Sequence, residues 1–250
     1  MHKIFETIVL PELLRDVRLT SGAVAMWMRM HSSPVDTLAG YRRKTPLGRE
    51  TLRRAVRTLV AAQWAFEVPS RDRRSPLIVS WMPPSVEEMV VHELRRVRGE
   101  VGLVGEWLLQ CILYIVADER DVRYNARPHW FTLGAGSGPL EIDIWFRQRQ
   151  VAIEFQGMHH YEFEPGFHSS FQQFVDKKMR DHIKAGLCLR HGTHYIEIPA
   201  ADLGFEFVID KIAGVLPLRP FPEESPVVRA LREMCASYVN MVNRRTLQHV

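Results

Sequence analysis

The sequence contains only three cysteines, Cys111, Cys188 and Cys235, and they are widely spaced along 250 residues. This set is too small and too scattered for the disulfide framework of a secreted domain, which favours a reducing compartment. No uncharged apolar run approaches the ~18 residues of a membrane span. The N-terminal stretch MHKIFETIVLPELLRD contains acidic residues and lacks the small-residue cleavage site of a secretory signal. We therefore expect a soluble, cytoplasmic protein that has no membrane partner.

The sequence also lacks internal repeats and low-complexity tracts, and its composition is that of a globular protein. The proline-rich stretch WMPPS, Trp81 to Ser85, separates two regions with different residue patterns, and a second proline-rich stretch begins at Pro217. These patterns predict a first domain over residues 1–84 and a second over residues 85–216. A linker and a C-terminal helix are predicted over residues 217–250.

Charge is unevenly distributed along the chain. Residues 1–83 contain 14 Lys and Arg against 7 Asp and Glu, a net charge of +7, whereas the remainder has a net charge of −3. A basic first domain is typical of proteins that bind a polyanion, although a solvated basic face gives the same count.

The first domain is predicted to fold as three helices followed by two strands. The helices are expected after Thr20 or Ser21, in PVDTLAGYR and in GRETLRRAVRTLVAAQ, and the strands in WAFEV and LIVSW. The third helix has an apolar face formed by Leu52, Ala55, Val56, Leu59 and Val60. Its opposite face carries Arg49, Arg53, Arg54 and Arg57, and the loop between the strands carries Arg71, Arg73 and Arg74.

This order resembles the winged helix-turn-helix of bacterial regulators and replication initiators, over about residues 18–83. The resemblance implies that DNA is a partner, that the third helix enters the major groove and that the arginine-containing loop is the wing. Gln63 stands where that family usually has glycine. Arginines on a helix face bind phosphates without reading sequence. The alternative is a helical module that packs on the second domain or on a partner.

The second domain contains two apolar runs, EIDIWF and VAIEF, joined by RQRQ. With the period of two that strands have, a hairpin about Arg147 to Gln150 sets Asp143 and Glu154 side by side, with Glu141 beside them. Upstream, Gly99 and Gly102 divide two predicted helices, and the second of them carries Glu106 within an apolar stretch. Downstream, a helix that Gly192 caps precedes the short strand HYIEIP. Carboxylates gathered in this way can bind Mg²⁺, or they can form a solvated face that Lys or Arg compensates.

The runs LEIDIWF, AIEFQG, HHY and RDHIKAGLCLRHGTHYIEIP resemble the PD-(D/E)xK nuclease superfamily over about residues 100–203, and are similar to very-short-patch-repair and homing-type endonucleases. The resemblance implies an α/β (α+β) fold class: an N-terminal winged helix, a restriction-endonuclease-like αβββαβ core and a C-terminal helix. It implies Asp143 and Glu154 as ligands of Mg²⁺ or Mn²⁺, with the Phe155 carbonyl as a third ligand. Glu106 matches the glutamate that many members carry on the preceding helix.

The lysine position of the motif is occupied by Gln156, and some restriction enzymes of the superfamily share this E-x-Q variant. A lysine from the later helix can substitute, and Lys184 is favoured over Lys177. Both are expected on a polar face with Asp181, opposite an apolar face formed by Phe171, Val175, Met179 and Ile183. His159 and His160 are candidates for a general base or a phosphate contact.

Together these patterns predict a metal-dependent DNA endonuclease. One alternative is a DNA-binding regulator, replication factor or mobile-element factor with an inactive or partner-gated nuclease-like domain. Another is an RNA nuclease. The apolar face of the C-terminal helix is expected either to form a homodimer or protein-partner interface or to pack on the chain itself; it comprises Val228, Leu231, Met234, Cys235, Val239 and Val242.

Overall fold

The computed structural model describes residues 1–70, 75–134, 138–157 and 171–248. It has a mixed helix and strand architecture that contains a three-stranded and a four-stranded sheet, so the predicted α+β class is confirmed. The chain divides into two compact units. The first comprises Met1–Gly102, Tyr114–Arg120 and Leu218–Leu231, and the second comprises Leu103–Leu113, Asp121–Pro217 and Arg232–Val250. Among the described residues, no helix has both the length and the apolar character needed to cross a membrane.

The division into units differs from the boundary that the sequence predicts after residue 84. The prolines of WMPPS start a helix, because Pro84 occupies the first turn, where a missing N–H costs nothing. This helix, Pro84–Arg98, belongs to the first unit. The sequence pattern therefore indicates a helix start, and the first unit continues beyond it.

The first unit contains the three helices and two strands that the sequence predicts, preceded by short N-terminal helices. Its elements are α1 His2–Ile4, a π-helical turn Phe5–Val9, α2 Leu10–Arg15, α3 Ser21–Ser32, β1 Asp36–Thr37, α4 Leu38–Lys44, α5 Arg49–Ala61, β2 Ala65–Val68, β3 Leu77–Ser80 and α6 Pro84–Arg98. The strands form an antiparallel sheet in the order β1-β3-β2. The Thr20 side chain caps α3 by accepting the Ala23 N–H at 3.2 Å.

Helix α5 buries Leu52, Ala55, Val56 and Leu59, and leaves Val60 half-buried. After the helix, Gln63 adopts φ +64°, a left-handed conformation that favours glycine. The Trp64 N–H donates back to the Leu59 carbonyl at 2.8 Å, which closes the helix end. A glutamine therefore occupies the position where the winged-helix resemblance anticipates glycine.

The second unit is built on a four-stranded sheet. Its strands are β4 Val122–Ala126, β5 Ile142–Phe146, β6 Val151–Gln156 and β7 His194–Pro199, in the order β4-β5-β6-β7. The first three are antiparallel, whereas β7 is parallel to β6 and is reached through α8, Phe171–Arg190. Helix α7, Val104–Val116, precedes the sheet, which gives the order α-β-β-β-α-β. The residue pattern misses β4, because this edge strand is largely exposed and buries only Ala126 at its end.

One hydrophobic cluster supports this sheet, and it comprises Ala126, Phe131, Ile142, Trp145, Ala152 and Cys188. The chain continues through α9, Phe205–Ile212, into the predicted C-terminal helix α10, Pro226–Gln248. The apolar residues predicted for α10 are buried, except for half-buried Val239. That burial favours packing on the chain itself over an exposed interface.

Candidate active site

The β5-β6 hairpin places Asp143 and Glu154 next to each other. Trp145 pairs with Ala152 and Ile144 with Ile153, so Asp143 and Glu154 follow in register on the Trp145 face. A short 3₁₀ turn, Arg147–Arg149, connects the strands. The Asp143 carboxylate also accepts the Phe155 backbone N–H at 2.9 Å, which holds the two strands together at this point.

Glu154 is almost fully buried, with 4% of its surface exposed. Its Oε2 accepts a hydrogen bond from Lys184 Nζ at 2.6 Å, whereas its Oε1 is buried without a hydrogen-bond partner among the described residues. Burial, and secondly the charge of Asp143, raise the pKa of Glu154 to about 8, although Lys184 opposes the shift. Lys184 therefore compensates the negative charge of the Glu154 carboxylate only in part, and a further cation would stabilise its ionised form.

Helix α8 carries Lys184 one turn before the buried Cys188, so this face of the helix packs on the sheet. The predicted apolar face is wrong in part, because Met179 and Ile183 are 57% and 40% exposed whereas the Lys184 side chain is only 13% exposed. The ion pair with Glu154 outweighs hydrophobic patterning here. Lys177 lies in α8, but its side chain is outside the described part of the chain.

Glu106 lies in the first turn of α7 and is half-buried. Its Oε1 accepts a hydrogen bond from Gln110 Nε2 at 3.0 Å. Burial, then the charges of Asp143 and Glu141, raise the pKa of Glu106, which indicates that this carboxyl group belongs to the same electrostatic cluster.

Glycine at position 105 allows α7 to approach β6 closely. A Cβ added there would collide with the Phe155 ring and the Tyr238 hydroxyl. Gly105 is not among the site residues predicted from the sequence, although it immediately precedes Glu106. Its lack of a side chain brings the helix that carries Glu106 against the strand that carries Glu154.

Two further predicted residues already have partners. The guanidinium of Arg127 donates to Glu141 Oε2 at 2.8 and 3.0 Å, so Glu141 is compensated by a cation that sequence reasoning missed. Gln156 is buried, and its Nε2 donates to Glu197 Oε1 at 3.3 Å. Glu197 lies in register with Glu154 on the neighbouring strand β7. The amide at the motif's lysine position is therefore bonded to a carboxylate of that strand.

Tyr195 is another residue that sequence reasoning missed. Its hydroxyl is buried without a hydrogen-bond partner in the described part of the chain. Burial first, and then the charges of Glu154 and Glu197, raise the pKa of Tyr195. The alternation of HYIEIP, which places Tyr195 and Glu197 on one face of β7, is the sequence signal that points to it.

The candidate DNA-binding residues of α5 lie on its solvent side. Arg49, Arg54 and Arg57 are exposed and Arg53 is half-buried. Glu50 lies 3.9 Å from Arg53 and 3.7 Å from Arg57, but it is itself 76% exposed, so these pairs compensate little charge. Arg71, Arg73, Arg74, His159 and His160 lie outside the described residues.

The carboxylates can hold a divalent ion only with help from water or substrate. Within residues 1–70, 75–134, 138–157 and 171–248, no group of three or more His, Cys, Asp and Glu side chains is arranged to hold a metal ion. Mg²⁺, however, is usually bound through one or two carboxylates, with water and phosphate oxygens completing its coordination. The adjacent Asp143 and Glu154, with the unpartnered Glu154 Oε1, fit that mode of binding.

No protein-family model matches the chain, and no solved structure matches it. The chain is similar to uncharacterized protein 307L of Invertebrate iridescent virus 6, at 33% identity over 80 residues, 30% of this chain and 41% of that protein. It is 34% identical over 74 residues to uncharacterized protein 094L of Frog virus 3 (isolate Goorha), covering 29% and 48% of the two chains. It is 30% identical over 102 residues to uncharacterized protein 033L of Invertebrate iridescent virus 3, covering 41% and 48%. The chain thus spans less than half the length of these relatives.

Proposed function

We propose that the protein is a metal-dependent DNA endonuclease that hydrolyses phosphodiester bonds at the β5-β6 carboxylates. The observation that carries the proposal is the contact of Lys184 Nζ with the buried Glu154, which lies beside Asp143. Two carboxylates and an ammonium on one sheet face are the groups needed to bind a divalent cation and orient an attacking water. The α-β-β-β-α-β order around them supports a restriction-endonuclease-like core.

The charge balance supports a cation ligand. Asp143 raises the pKa of both Glu106 and Glu154, and Lys184 is the cation that directly contacts Glu154. We assign Asp143, Glu154 and the Phe155 carbonyl as the residues that would hold Mg²⁺ or Mn²⁺. Such an ion, when bound, lowers the pKa of water and neutralises charge on the scissile phosphate.

The remaining residues have separate roles in this proposal. Lys184 replaces the lysine that the E-x-Q motif lacks, and its ammonium orients the nucleophilic water or stabilises the phosphate charge. Glu106 adds negative charge beside Asp143 and strengthens cation binding. Gln156 holds Glu197 and does not replace the lysine.

The first unit supplies the DNA-binding surface in the same proposal. Its helix–strand–helix–helix–strand–strand order, from α3 to β3, supports a winged helix, and the exposed arginines of α5 supply phosphate contacts. This charge attracts duplex DNA without specifying its sequence.

The proposal is tested by incubating purified protein with supercoiled plasmid, linear duplex, single-stranded DNA and RNA, with Mg²⁺, Mn²⁺ or EDTA. Asp143→Asn and Glu154→Gln are compared with Asp210→Asn, an exposed acid on α9. Metal-dependent DNA cutting that is lost in the first two variants and kept in the third is the expected result. Preferred cutting of RNA would identify an RNA nuclease instead.

A specific observation favours a second candidate, a DNA-binding regulator or replication factor whose nuclease-like unit is inactive. The motif's lysine position is Gln156, and its amide is bonded to Glu197. This candidate predicts duplex binding with no cutting of any substrate. If no substrate is cut, metal calorimetry separates an inactive unit from a partner-gated nuclease. An inactive unit would bind no Mg²⁺, whereas a partner-gated nuclease would bind Mg²⁺ in wild type and lose that binding in Asp143→Asn.

A further inference from the structure

The first unit contains a cavity of about 40 Å³ whose walls are mostly apolar. A buried water requires roughly 10–15 Å³, so the cavity has room for a few waters or for one small polyatomic ion. Phe5, Trp27 and His31 stack along one side, with ring centroids 4.1 to 5.7 Å apart. Arg120 and Arg219 line the same cavity, which is unusual in so apolar a setting.

Arg219 is buried, with only 4% of its surface exposed. One of its terminal nitrogens donates to Ser80 Oγ at 2.6 Å, and the other reaches Asp118 Oδ1 at a long 3.5 Å. Asp118 also accepts the Val35 backbone N–H at 2.7 Å through its other oxygen. Burial and the nearby charge of Arg120 lower the pKa of Arg219 to about 10, so Arg219 is still charged at neutral pH.

Arg120 supplies a second positive charge at the cavity. Its Nη1 donates to the Tyr114 carbonyl at 2.9 Å, and its guanidinium lies 4.9 Å from the centroid of the Tyr114 ring. Its Nε is buried without an acceptor in the described part of the chain. The hydrogen-bonding capacity of this guanidinium is therefore not fully used within the described residues.

We infer that this cavity is a binding site for a phosphate group, held by the guanidinium groups of Arg120 and Arg219. Two cations beside one apolar cavity are costly when the carboxylate nearest Arg219 is at a long distance, and an anion between them offsets that cost. Phosphate fits better than a carboxylate, because its charge and several oxygens satisfy two guanidinium groups at once. The site lies within the first unit and does not depend on the proposed nuclease activity.

The test is calorimetric titration of the full chain with inorganic phosphate, with sodium chloride adjusted to constant ionic strength. The variants are Arg120→Gln, Arg120→Lys and the control Arg229→Gln, which changes an exposed arginine of the same unit. We expect saturable binding that weakens about 10-fold or more in Arg120→Gln, since one charged hydrogen-bonding group is lost. Arg120→Lys keeps the charge and also weakens binding, because a lysine lacks the planar fork.

Binding by wild type and by Arg229→Gln, with loss in both Arg120 variants, supports the site. No saturable binding to wild type, or equal affinity in a folded Arg120 variant, overturns it. A second titration uses a 5′-phosphorylated dinucleotide and its unphosphorylated form. If inorganic phosphate binds, further binding of the phosphorylated but not the unphosphorylated dinucleotide identifies a terminal phosphate as the occupant. Binding of neither dinucleotide identifies the free ion.

Discussion

Lys184 Nζ lies 2.6 Å from Glu154 Oε2, and the two side chains are only 13% and 6% exposed. The pair joins helix α8 to strand β6 at the point where Asp143 approaches from β5. A buried charge is costly without its partner, so the loss of either member would leave the charge of the other uncompensated. The contact also means that a cation bound to Glu154 competes with the ammonium of Lys184.

We therefore predict opposite effects of Lys184→Met on metal binding and on cutting. Removal of the ammonium leaves Glu154 free of a competing cation, so Ca²⁺ or Mg²⁺ should bind more tightly by calorimetry. DNA cutting should fall by at least about 10²-fold, as expected when a group that assists proton transfer or stabilises charge is lost. Lys211→Met, which changes an exposed lysine on α9, is the matched control and should behave as wild type. Unchanged cutting by Lys184→Met would remove Lys184 from the site.

A second prediction concerns the dependence of stability on pH. The pKa of Glu154 is about 8 in the folded chain, above the ordinary glutamate value of 4.5. The folded state therefore holds a proton that the unfolded state releases, and the free energy of unfolding should fall as pH rises from about 4.5 through 8. Glu106 is shifted in the same direction and adds to the effect.

Urea unfolding of wild type and Glu154→Gln between about pH 5 and pH 8 measures this contribution. The fall in stability with pH should be smaller in Glu154→Gln, because the titrating group is gone. Asp210→Asn should retain the wild-type dependence. Parallel curves for wild type and Glu154→Gln would show that Glu154 titrates normally in the folded chain.

A third prediction tests the close approach of α7 to β6. Gly105→Ala places a methyl group against the Phe155 ring and the Tyr238 hydroxyl, so it should destabilise the fold by about 1–3 kcal/mol. Gly102→Ala, at an exposed position with nothing within 4 Å of the added Cβ, is the control and should cost much less. Urea unfolding compares the two variants. An equal effect of both would mean that α7 does not depend on the glycine for its position.

Local sequence patterns predict most of the helices and the β5-β6 pair, because apolar periodicity and turn-forming residue types can be recognised from consecutive residues. The Asp143 and Glu154 pairing follows from a two-residue period and one short turn. Strand β4 could not be found in this way, because its position depends on pairing with β5 and its own residues are largely exposed.

The face of α8 that packs on the sheet could not be predicted from the local sequence either. Hydrophobic periodicity favours burial of Met179 and Ile183, but the tertiary ion pair buries Lys184 instead. The same limit applies to Arg127, whose partner Glu141 is 14 residues away, and to Gln156, whose partner Glu197 is on another strand. Such partners depend on the fold as a whole.

A fourth prediction concerns the arginines of α5. Arg54→Gln with Arg57→Gln should weaken binding to duplex DNA and should reduce the dependence of affinity on salt by about one unit of slope for each lost phosphate contact. Arg190→Gln with Arg229→Gln, which changes two exposed arginines outside α5, is the charge-matched control. Fluorescence anisotropy across a salt series measures both quantities. A weakening without a change in salt slope would argue against phosphate contacts.

The last prediction concerns two glutamines with left-handed backbones. Gln63, at the end of α5, has φ +64°, so Gln63→Gly should relieve strain and stabilise the fold by about 1 kcal/mol. Gln150, in the β5-β6 turn, has φ +52°, but its side chain donates to the Arg147 carbonyl at 2.7 Å and accepts from Thr193 at 3.2 Å. Gln150→Gly loses both bonds as it relieves the strain, so its net gain should be smaller or absent. The midpoints of urea unfolding should therefore separate the two variants, and a larger gain at Gln150 would mean that its side-chain bonds contribute little.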